Sequence, residues 1–297
     1  LGGFGLAGRV AEINRAGVRL ARQAAAEGRR VFVAGAVGPL GIHIEPLGPT
    51  SYEEARAMFR EQIDALLDEG IDLLIFETFS NLAELREAVL AGREAAGPEM
   101  VIIAQVTADE EGRLPDGADT ETFTRFLDEL PADVIGLNCS VGPKPTLETL
   151  ERMLPLTKKP LSAMPNAGLP VRIEGRNICL SSPEYMAQYA RRMLWAGVKI
   201  VGGCCGTTPE HIRAIASEAR SLQPGLREAA VPAQAPAEKK QALPKIPLAE
   251  KSPLGAKIAA GKFVVFVEIL PPRGVDASRE IAGAKMCREA GIDAINV

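Results

Sequence analysis

The sequence predicts an α/β protein built around a parallel β-sheet, and two observations support this class. Short apolar segments alternate with longer amphipathic segments from residue 9 to residue 221. This alternation is typical of parallel strands that are connected by right-handed helical crossovers. The short segments are apolar at nearly every position, as expected of parallel strands that are buried on both faces.

Helices and strands are predicted to alternate along this stretch. The first helix is amphipathic, with Val10 and Ile13 among alanines and arginines. Asn81 is a suitable N-cap for a later helix, and Thr208 precedes a proline at a first helical position, Pro209. In chain order the prediction is helix 9–27, strand 31–35, helix 51–69, strand 72–77, helix 81–96, strand 101–106, helix 120–130, strand 133–139, helix 146–154, strand 161–166, helix 183–195, strand 198–201 and helix 209–221.

These elements form six strand–helix units. An open, doubly wound sheet can be built from six units, whereas a closed (β/α)8 barrel needs eight. We favour a (β/α)8 TIM barrel that lacks its first two strands here, because the opening residues LGGFG read as the middle of a loop. Two further units would then precede Leu1.

Composition is that of an ordinary globular protein. Of the 297 residues, 46% are hydrophobic and 24% are charged, as in a packed domain. The net charge of −4 gives no indication of a nucleic-acid partner. We expect no membrane segment, because no apolar run approaches about 20 residues. Five scattered cysteines favour a reducing cytoplasm over a secreted disulfide framework.

Two adjacent cysteines, Cys204 and Cys205, follow the last predicted strand. The pair therefore lies at the carboxyl end of a strand, where α/β folds place their chemistry. Neighbouring cysteines rarely form a disulfide with each other, because the small ring is strained. Two thiolates on a glycine-rich loop suit a soft metal ion, and zinc is the strongest candidate.

Cys139 ends another predicted strand, two strand–helix units before the cysteine pair. In a parallel fold, Cys139, Cys204 and Cys205 emerge at the same edge. Three protein ligands with one open position are typical of a catalytic zinc site. The alternative is that each cysteine is a small buried hydrophobic residue. We adopt that interpretation for Cys179, in an irregular segment, and for Cys287, within a helix.

A ligand set of three thiolates indicates the kind of reaction. Such a site has a net negative charge, so it generates hydroxide poorly but suits a fourth thiolate, which stays nucleophilic. This favours alkylation of a substrate thiol by an activated methyl group. Two alternatives stay open. A zinc hydrolase needs a general base, and the histidines are only His43 and His211. A structural zinc domain needs a fourth protein ligand.

Three further residues at predicted strand ends are candidates for substrate binding. The carboxylate of Glu77 can hold a substrate ammonium group, or it can simply face solvent. The amide oxygen of Asn166 can bind zinc when no thiol is bound, bind the substrate, or serve a turn. Gly38 helps to shape the loop after the first strand, where a backbone amide can approach a ligand.

Several segments resemble the homocysteine S-methyltransferase family. Residues 202–209 read GGCCGTTP, which is similar to the family's double-cysteine signature. Similar segments precede it in the family's order: AGAVGP at 34–39, FET at 76–78, GLNC at 136–139 and PNAGLP at 165–170. The resemblance covers about residues 1–221 and implies a (β/α)8 barrel with zinc on Cys139, Cys204 and Cys205. It also implies that Glu77 lies near the homocysteine amine. The family's opening DGAMGT-type segment is absent, in agreement with two missing strands.

The composition changes after residue 221. Six of the 22 prolines fall between Pro224 and Pro253, so 222–258 is predicted to be an extended linker. Residues 259–297 read as strand, helix and strand, the beginning of a second α/β domain. Residues 267–274, VEILPPRG, resemble the first strand of methylenetetrahydrofolate reductases, which are flavin-binding barrels. By this resemblance, Glu268 matches the acid that protonates the folate.

Taken together, the two resemblances identify the chain as part of a bifunctional homocysteine S-methyltransferase/methylenetetrahydrofolate reductase. Residues 1–221 would be the methyltransferase barrel and 259–297 the start of a second (β/α)8 barrel. The implied cofactors are Zn2+ and, for the reductase, FAD. The implied partners are homocysteine and a methyl donor, which is methylfolate, S-methylmethionine or methylcobalamin on another protein. No Asp-x-His-x-x-Gly cobalamin-ligating motif occurs. We expect a cytoplasmic protein without nucleic-acid or membrane partners.

Overall fold

The computed structural model describes residues 5–27, 31–168, 170–173, 176–179, 181–222, 247–262, 266–268, 278–289 and 294–296. The chain divides into two compact units, Leu1–Val231 and Pro232–Val297. Most of the predicted linker lies outside the described residues, and its described part, 247–258, is largely helical instead of extended. None of the described helices combines the length and the apolarity that crossing a membrane requires.

The first unit alternates helices and strands as predicted. In chain order its elements are α1 (Val10–Ala26), β1 (Ala34–Val37), α2 (Tyr52–Asp68), β2 (Leu73–Phe79), α3 (Leu82–Ala96), β3 (Val101–Val106), α4 (Thr120–Glu129), β4 (Val134–Asn138), α5 (Pro143–Met153), β5 (Leu161–Met164), β6 (Pro170–Ile173), β7 (Arg176–Cys179), α6 (Pro183–Ala196), β8 (Ile200–Val201) and α7 (Pro209–Ser221).

Six of these strands form one parallel sheet in the order β1-β2-β3-β4-β5-β8. Each strand therefore pairs with the next unit along the chain, as in consecutive units of a (β/α)8 barrel. The α/β class and the parallel pairing are confirmed, whereas closure by two further strands stays a prediction. Because all six strands run in one direction, their carboxyl ends share one edge of the sheet, and the candidate site lies there.

The structure differs from the prediction between β5 and α6. Strands β6 and β7 form an antiparallel hairpin, with Pro170 opposite Cys179. Cys179 thus ends a strand and does not lie in an irregular segment. The alternation of strand–helix units does not predict such a short insertion, because the hairpin adds neither a parallel strand nor a helix. Helix α5 also begins three residues early, since Pro143 suits its first turn.

Helices cover the outer face of the sheet and build the main core. Phe59 on α2 and Phe79 on β2 are fully buried, with ring centroids 6.0 Å apart. Phe76 packs against α3 so closely that a Cβ atom on Gly92 would lie 2.6 Å from its ring. The opposite face carries a smaller apolar cluster centred on Ile75 and Ile103. The strands are thus apolar on both faces, as the sequence predicts.

Two predicted helix starts are confirmed in detail. The Asn81 side chain accepts a hydrogen bond from the Glu84 amide at 3.0 Å, so it is the N-cap of α3. Thr208 is the N-cap of α7, and its backbone N–H donates to Nδ1 of His211 at 3.2 Å. The Cys204–Cys205 loop therefore ends at a well-defined helix start.

The second unit contains α8 (Leu248–Lys251), α9 (Pro253–Ala259), β9 (Phe266–Glu268), α10 (Ser278–Glu289) and β10 (Ala294–Asn296). Strands β9 and β10 pair in parallel, with Glu268 opposite Asn296. A strand, a helix and a parallel strand form one unit of the kind from which α/β domains are built. The remainder of the predicted strand 263–270 lies outside the described residues.

Candidate metal centre

The first part of the site is the turn that follows β4. Cys139 comes directly after this strand, and its amide donates to the carbonyl of Met164 at 3.0 Å. Cys139 and Ser140 both adopt left-handed backbone conformations, with φ of 60° and 62°. Such conformations are uncommon for residues with a side chain and occur often at functional sites. The turn bends the chain sharply where the Cys139 thiol reaches the sheet edge.

The second part is the loop between β8 and α7. The Cys204 amide donates to the carbonyl of Pro165 at 2.9 Å, which ties the loop to the end of β5. The carbonyl of Cys204 accepts two hydrogen bonds from Thr207, from the amide at 3.2 Å and from Oγ1 at 2.6 Å. Gly203 leaves room for Thr207, because a Cβ atom there would lie 2.3 Å from Thr207 Cγ2.

These two turns bring three sulfur atoms together. The Sγ atoms of Cys139, Cys204 and Cys205 all lie within 4.8 Å of one another, and those of Cys139 and Cys205 are 3.7 Å apart. A tetrahedral zinc ion with bonds of about 2.3 Å separates its thiolate ligands by roughly 3.8 Å. None of the three residues forms a disulfide. The donor set and the spacing fit a zinc ion.

The electrostatics of the cluster are compatible with a bound cation. Burial, together with the neighbouring Cys139 and Cys205 thiols, raises the pKa of the Cys204 thiol to about 12. Three thiolates so close together repel one another, and a divalent cation compensates their charge. Among the described residues, no fourth cysteine, histidine, aspartate or glutamate joins the cluster. The set therefore leaves one position of a tetrahedral site for a further ligand.

Asn166 lies beside the cysteine pair. Its side chain is 4% exposed, and its Oδ1 accepts a hydrogen bond from the Cys205 amide at 3.0 Å. The amide of Asn166 donates to the Val141 carbonyl, and Ala167 donates to the carbonyl of Cys205. Asn166 thus joins the two cysteine-bearing turns. Its direct contact with metal or substrate stays a prediction.

Glu77 lies near the carboxyl end of β2, at the same edge of the sheet. Its carboxyl group is half-buried, and this burial raises its pKa. Among the residues that the structure describes, the carboxylate has no hydrogen-bond or ion-pair partner. A Cβ atom on Gly38 would lie 3.7 Å from the Glu77 carbonyl, so the loop after β1 runs beside it. A half-buried carboxylate of this kind is suited to a cationic ligand.

Three polar residues near the site were not singled out by the sequence analysis. Asn138 and Thr78 are joined by two hydrogen bonds, and the Asn138 amide also reaches Cys204. Gln105 on β3 is fully buried, and its Nε2 donates to Ser162 Oγ at 2.9 Å. A glutamine within the apolar segment VIIAQV was an available signal. No comparable signal marks Thr78, because its role depends on its backbone conformation.

Neither histidine belongs to the cluster of three thiols. His211 bridges the N-terminus of α7 and the carbonyl of Ser181, which lies 2.9 Å from its Nε2 atom. His43 is exposed. Cys287 lies on α10 of the second unit. Glu268 ends β9 in the second unit.

Parallel strands with three convergent thiols at their carboxyl edge define an α/β protein with a candidate thiolate metal site. The sequence profile of one family, Homocysteine S-methyltransferase, matches residues 1–219. The chain belongs to this family.

Individual relatives agree with the family. The methionine synthase of Mycobacterium tuberculosis is 35% identical over 231 residues, which are 75% of this chain and 19% of that protein. The methionine synthase of Mycobacterium leprae is 34% identical over 225 residues, with 73% and 19% covered. The chain therefore spans about a fifth of the length of these curated relatives.

Solved structures of the homocysteine methyltransferase MmuM from Escherichia coli resemble this chain. The apo form has 30% identity and a TM-score of 0.57, covering 71% of this chain and 74% of that chain. The metallated form has 28% identity and a TM-score of 0.56, covering 71% and 70%. That protein thus exists in a metal-bound form.

Proposed function

We propose that the chain transfers a methyl group to the thiolate of homocysteine, giving methionine, with Zn2+ held by Cys139, Cys204 and Cys205. The observation that carries the proposal is the cluster of three thiols at the carboxyl edge of the sheet, in a member of this family. The open fourth position favours a catalytic site over a structural one. Neither histidine reaches the cluster to act as a general base, which argues against a zinc hydrolase.

The chain's own residues prepare the site for a fourth sulfur. The turns at Cys139 and Cys204 hold the three thiols at the sheet edge, and Cys205 is exposed to solvent. Zinc, when bound, supplies the positive charge that keeps a substrate thiol deprotonated and nucleophilic near neutral pH. The sulfur of homocysteine would then attack the methyl carbon, and the donor would leave with the bonding electron pair.

Recognition of the amino acid part is assigned to the neighbouring loops. We assign the homocysteine ammonium group to Glu77, whose half-buried carboxylate gains a cationic partner. The loop at Gly38 runs beside Glu77, so we assign it to the binding of the same part of the substrate. Asn166 accepts a hydrogen bond from the Cys205 amide, so we assign it to holding the loop that carries Cys204 and Cys205. In the absence of substrate, we also assign it as the fourth ligand of the metal ion.

Three classes of methyl donor fit a thiolate acceptor: methylfolate, S-methylmethionine, and methylcobalamin carried on another protein. The names of the Mycobacterium relatives indicate methionine formation without fixing the donor. We place the protein in the cytoplasm, because a cluster of three reduced thiols survives best in a reducing compartment.

We further propose that the chain belongs to a longer bifunctional protein. Its domains would be a methyltransferase barrel over 1–221, closed by two preceding strands, a linker over 222–258, and a reductase domain from 259. The parallel pair of β9 and β10, with a helix between them, is compatible with the beginning of a second (β/α)8 barrel. In that domain Glu268 would be the acid that protonates the folate, and FAD would be the cofactor.

The test is bound zinc per chain, measured with and without homocysteine. Cys205→Ser removes one proposed ligand, and Cys287→Ser is the matched control at a thiol outside the cluster. We expect about one zinc per chain in the wild type and in Cys287→Ser, with methyl transfer in both. Cys205→Ser should lose zinc and methyl transfer together. Full zinc occupancy and normal turnover in Cys205→Ser would refute the ligand assignment.

A further inference from the structure

The carboxyl end of β2 contains a bulge. Phe76 pairs with Ala104 of β3, and Phe79 pairs with Val106, so β2 has one residue more than β3 over this interval. The interval holds Glu77 and Thr78. Bulges re-aim side chains next to functional sites, and here the redirected side chain is that of Glu77.

The bulge is strained at Thr78. Its φ is 66°, in the left-handed region that a β-branched residue rarely adopts. A conformation of this kind persists only where the surroundings hold it in place. The contacts that hold Thr78 therefore also determine where Glu77 points.

One side chain makes those contacts. Oδ1 of Asn138 accepts a hydrogen bond from the Thr78 amide at 2.7 Å, and Nδ2 donates to Thr78 Oγ1 at 2.8 Å. A backbone N–H can only donate, which fixes the orientation of the Asn138 amide. Asn138 is 2% exposed, and its carbonyl accepts from Thr107 Oγ1 at 2.9 Å. Asn138, which holds Thr78 in place, is thus itself held by burial and by a hydrogen bond.

The same amide group reaches the thiol cluster. Nδ2 of Asn138 donates toward Cys204 Sγ at 3.9 Å, within the range of hydrogen bonds to sulfur. A primary amide has two N–H groups, so one can serve Thr78 while the other serves the sulfur. Hydrogen bonds to metal-binding groups orient those groups and tune their basicity.

We propose that Asn138 is a positioning residue that couples the two ends of the substrate site. Its Oδ1 and Nδ2 atoms hold the bulge that aims Glu77, and its Nδ2 also orients the Cys204 sulfur. The distance between the group that binds the substrate ammonium and the group that binds the substrate sulfur is thereby fixed. The proposal rests on the proposed homocysteine chemistry and adds to it a residue that touches neither substrate nor metal.

The test compares two substitutions in the full chain. Asn138→Asp keeps an acceptor for the Thr78 amide but replaces the NH2 donor with a carboxylate oxygen. Thr78→Val keeps the side-chain shape and removes only the Oγ1 acceptor, so the donor to Cys204 remains. Affinities for Zn2+ and Co2+ are measured with each protein, together with the Co2+ thiolate absorption bands and the homocysteine KM and kcat.

We expect Asn138→Asp to weaken Zn2+ binding by about 10- to 100-fold and to shift the Co2+ thiolate bands. The Thr78→Val protein should keep the wild-type bands and Zn2+ affinity while its homocysteine KM rises several-fold. A merely structural role for Asn138 would leave the bands of the folded Asn138→Asp protein unchanged.

The outcomes separate this proposal from the proposed function. A wild-type chain that binds no zinc, or does not methylate homocysteine, contradicts the proposed function. A functional wild type with unchanged bands and Zn2+ affinity in Asn138→Asp overturns the coupling. If Asn138→Asp does not fold, Thr78→Val decides: an unchanged homocysteine KM there overturns the proposal, and a raised KM with wild-type Co2+ bands supports it.

Discussion

Replacing Gly203 with alanine should disturb the metal centre without touching a ligand. The added Cβ would lie 2.3 Å from Thr207 Cγ2, whereas carbon atoms in contact are normally about 3.5–4.0 Å apart. Thr207 must therefore retreat by about 1 Å or more. Its Oγ1 then loses the 2.6 Å hydrogen bond to the Cys204 carbonyl. We expect about 1–3 kcal/mol of destabilisation from overpacking, a fall of a few degrees in Tm, and about tenfold weaker zinc binding.

Gly202→Ala is the matched control, because a Cβ atom there meets only Met164 Cγ, at an ordinary contact distance of 3.5 Å. Both variants are compared with the wild type by thermal unfolding and by zinc competition against a chelator. The Gly202→Ala protein should stay close to the wild type in both assays. Wild-type zinc affinity and Tm in Gly203→Ala would refute the idea that Thr207 shapes the cysteine loop. Equal losses in both variants would show that the loop tolerates no added volume, whatever Thr207 does.

Three further predictions concern the charge of Glu77 and two positions on helix α3. Burial raises the pKa of Glu77, so homocysteine binding should weaken as the pH falls through that raised value and the carboxylate loses its charge. Glu77→Gln should raise the homocysteine KM and remove the corresponding acidic limb of the pH profile of kcat/KM. Burial also raises the pKa of Glu84, whose Oε1 accepts from the Leu40 amide at 2.8 Å. The folded state therefore binds the Glu84 proton more tightly than the unfolded state does, and ionised Glu84 destabilises the fold. Glu84→Gln removes this charge, so the variant should be more stable than the wild type in urea unfolding at neutral pH. The difference should vanish below the unfolded pKa of about 4.3, where Glu84 is protonated in both states. Gly92→Ala gains about 1 kcal/mol of helix propensity but forces a Cβ to 2.6 Å from the buried Phe76 ring, which costs about 1–3 kcal/mol. The net effect in urea unfolding should be a loss of up to about 2 kcal/mol, and a clear gain would contradict the packing argument.

Local chemistry made much of the fold predictable. The start of α3 was predictable from Asn81, because an N-cap acts over three residues. The parallel order of the sheet followed from the alternation of strand and helix, since a helical crossover is the usual connection between parallel neighbours. Parallel order in turn predicts that Cys139 and the cysteine pair share an edge, although 66 residues separate Cys139 from Cys205.

Contacts that depend on backbone geometry were not predictable. Thr78 gives no sign in the sequence that it adopts a left-handed conformation, because β-branched residues normally avoid it. Asn138 pairs with a residue 60 positions away, and neither residue predicts the other. The alternation of apolar and polar residues in the segments VRI and NIC indicates the β6–β7 hairpin only weakly, and the pattern of parallel strand–helix units does not include it.

Strand β8 is a short strand at the edge of the described sheet, and it lies next to the loop that carries Cys204 and Cys205. It has two residues and pairs only with β5 among the described strands. A metal ion on the three thiols cross-links the loop after β8 to the turn after β4, near the middle of the sheet. Local unfolding begins where the fewest contacts must break, so metal release should free β8 and the start of α7 first. Amide hydrogen exchange at Ile200 and Val201 would then report metal occupancy, even where the central strands exchange at an unchanged rate.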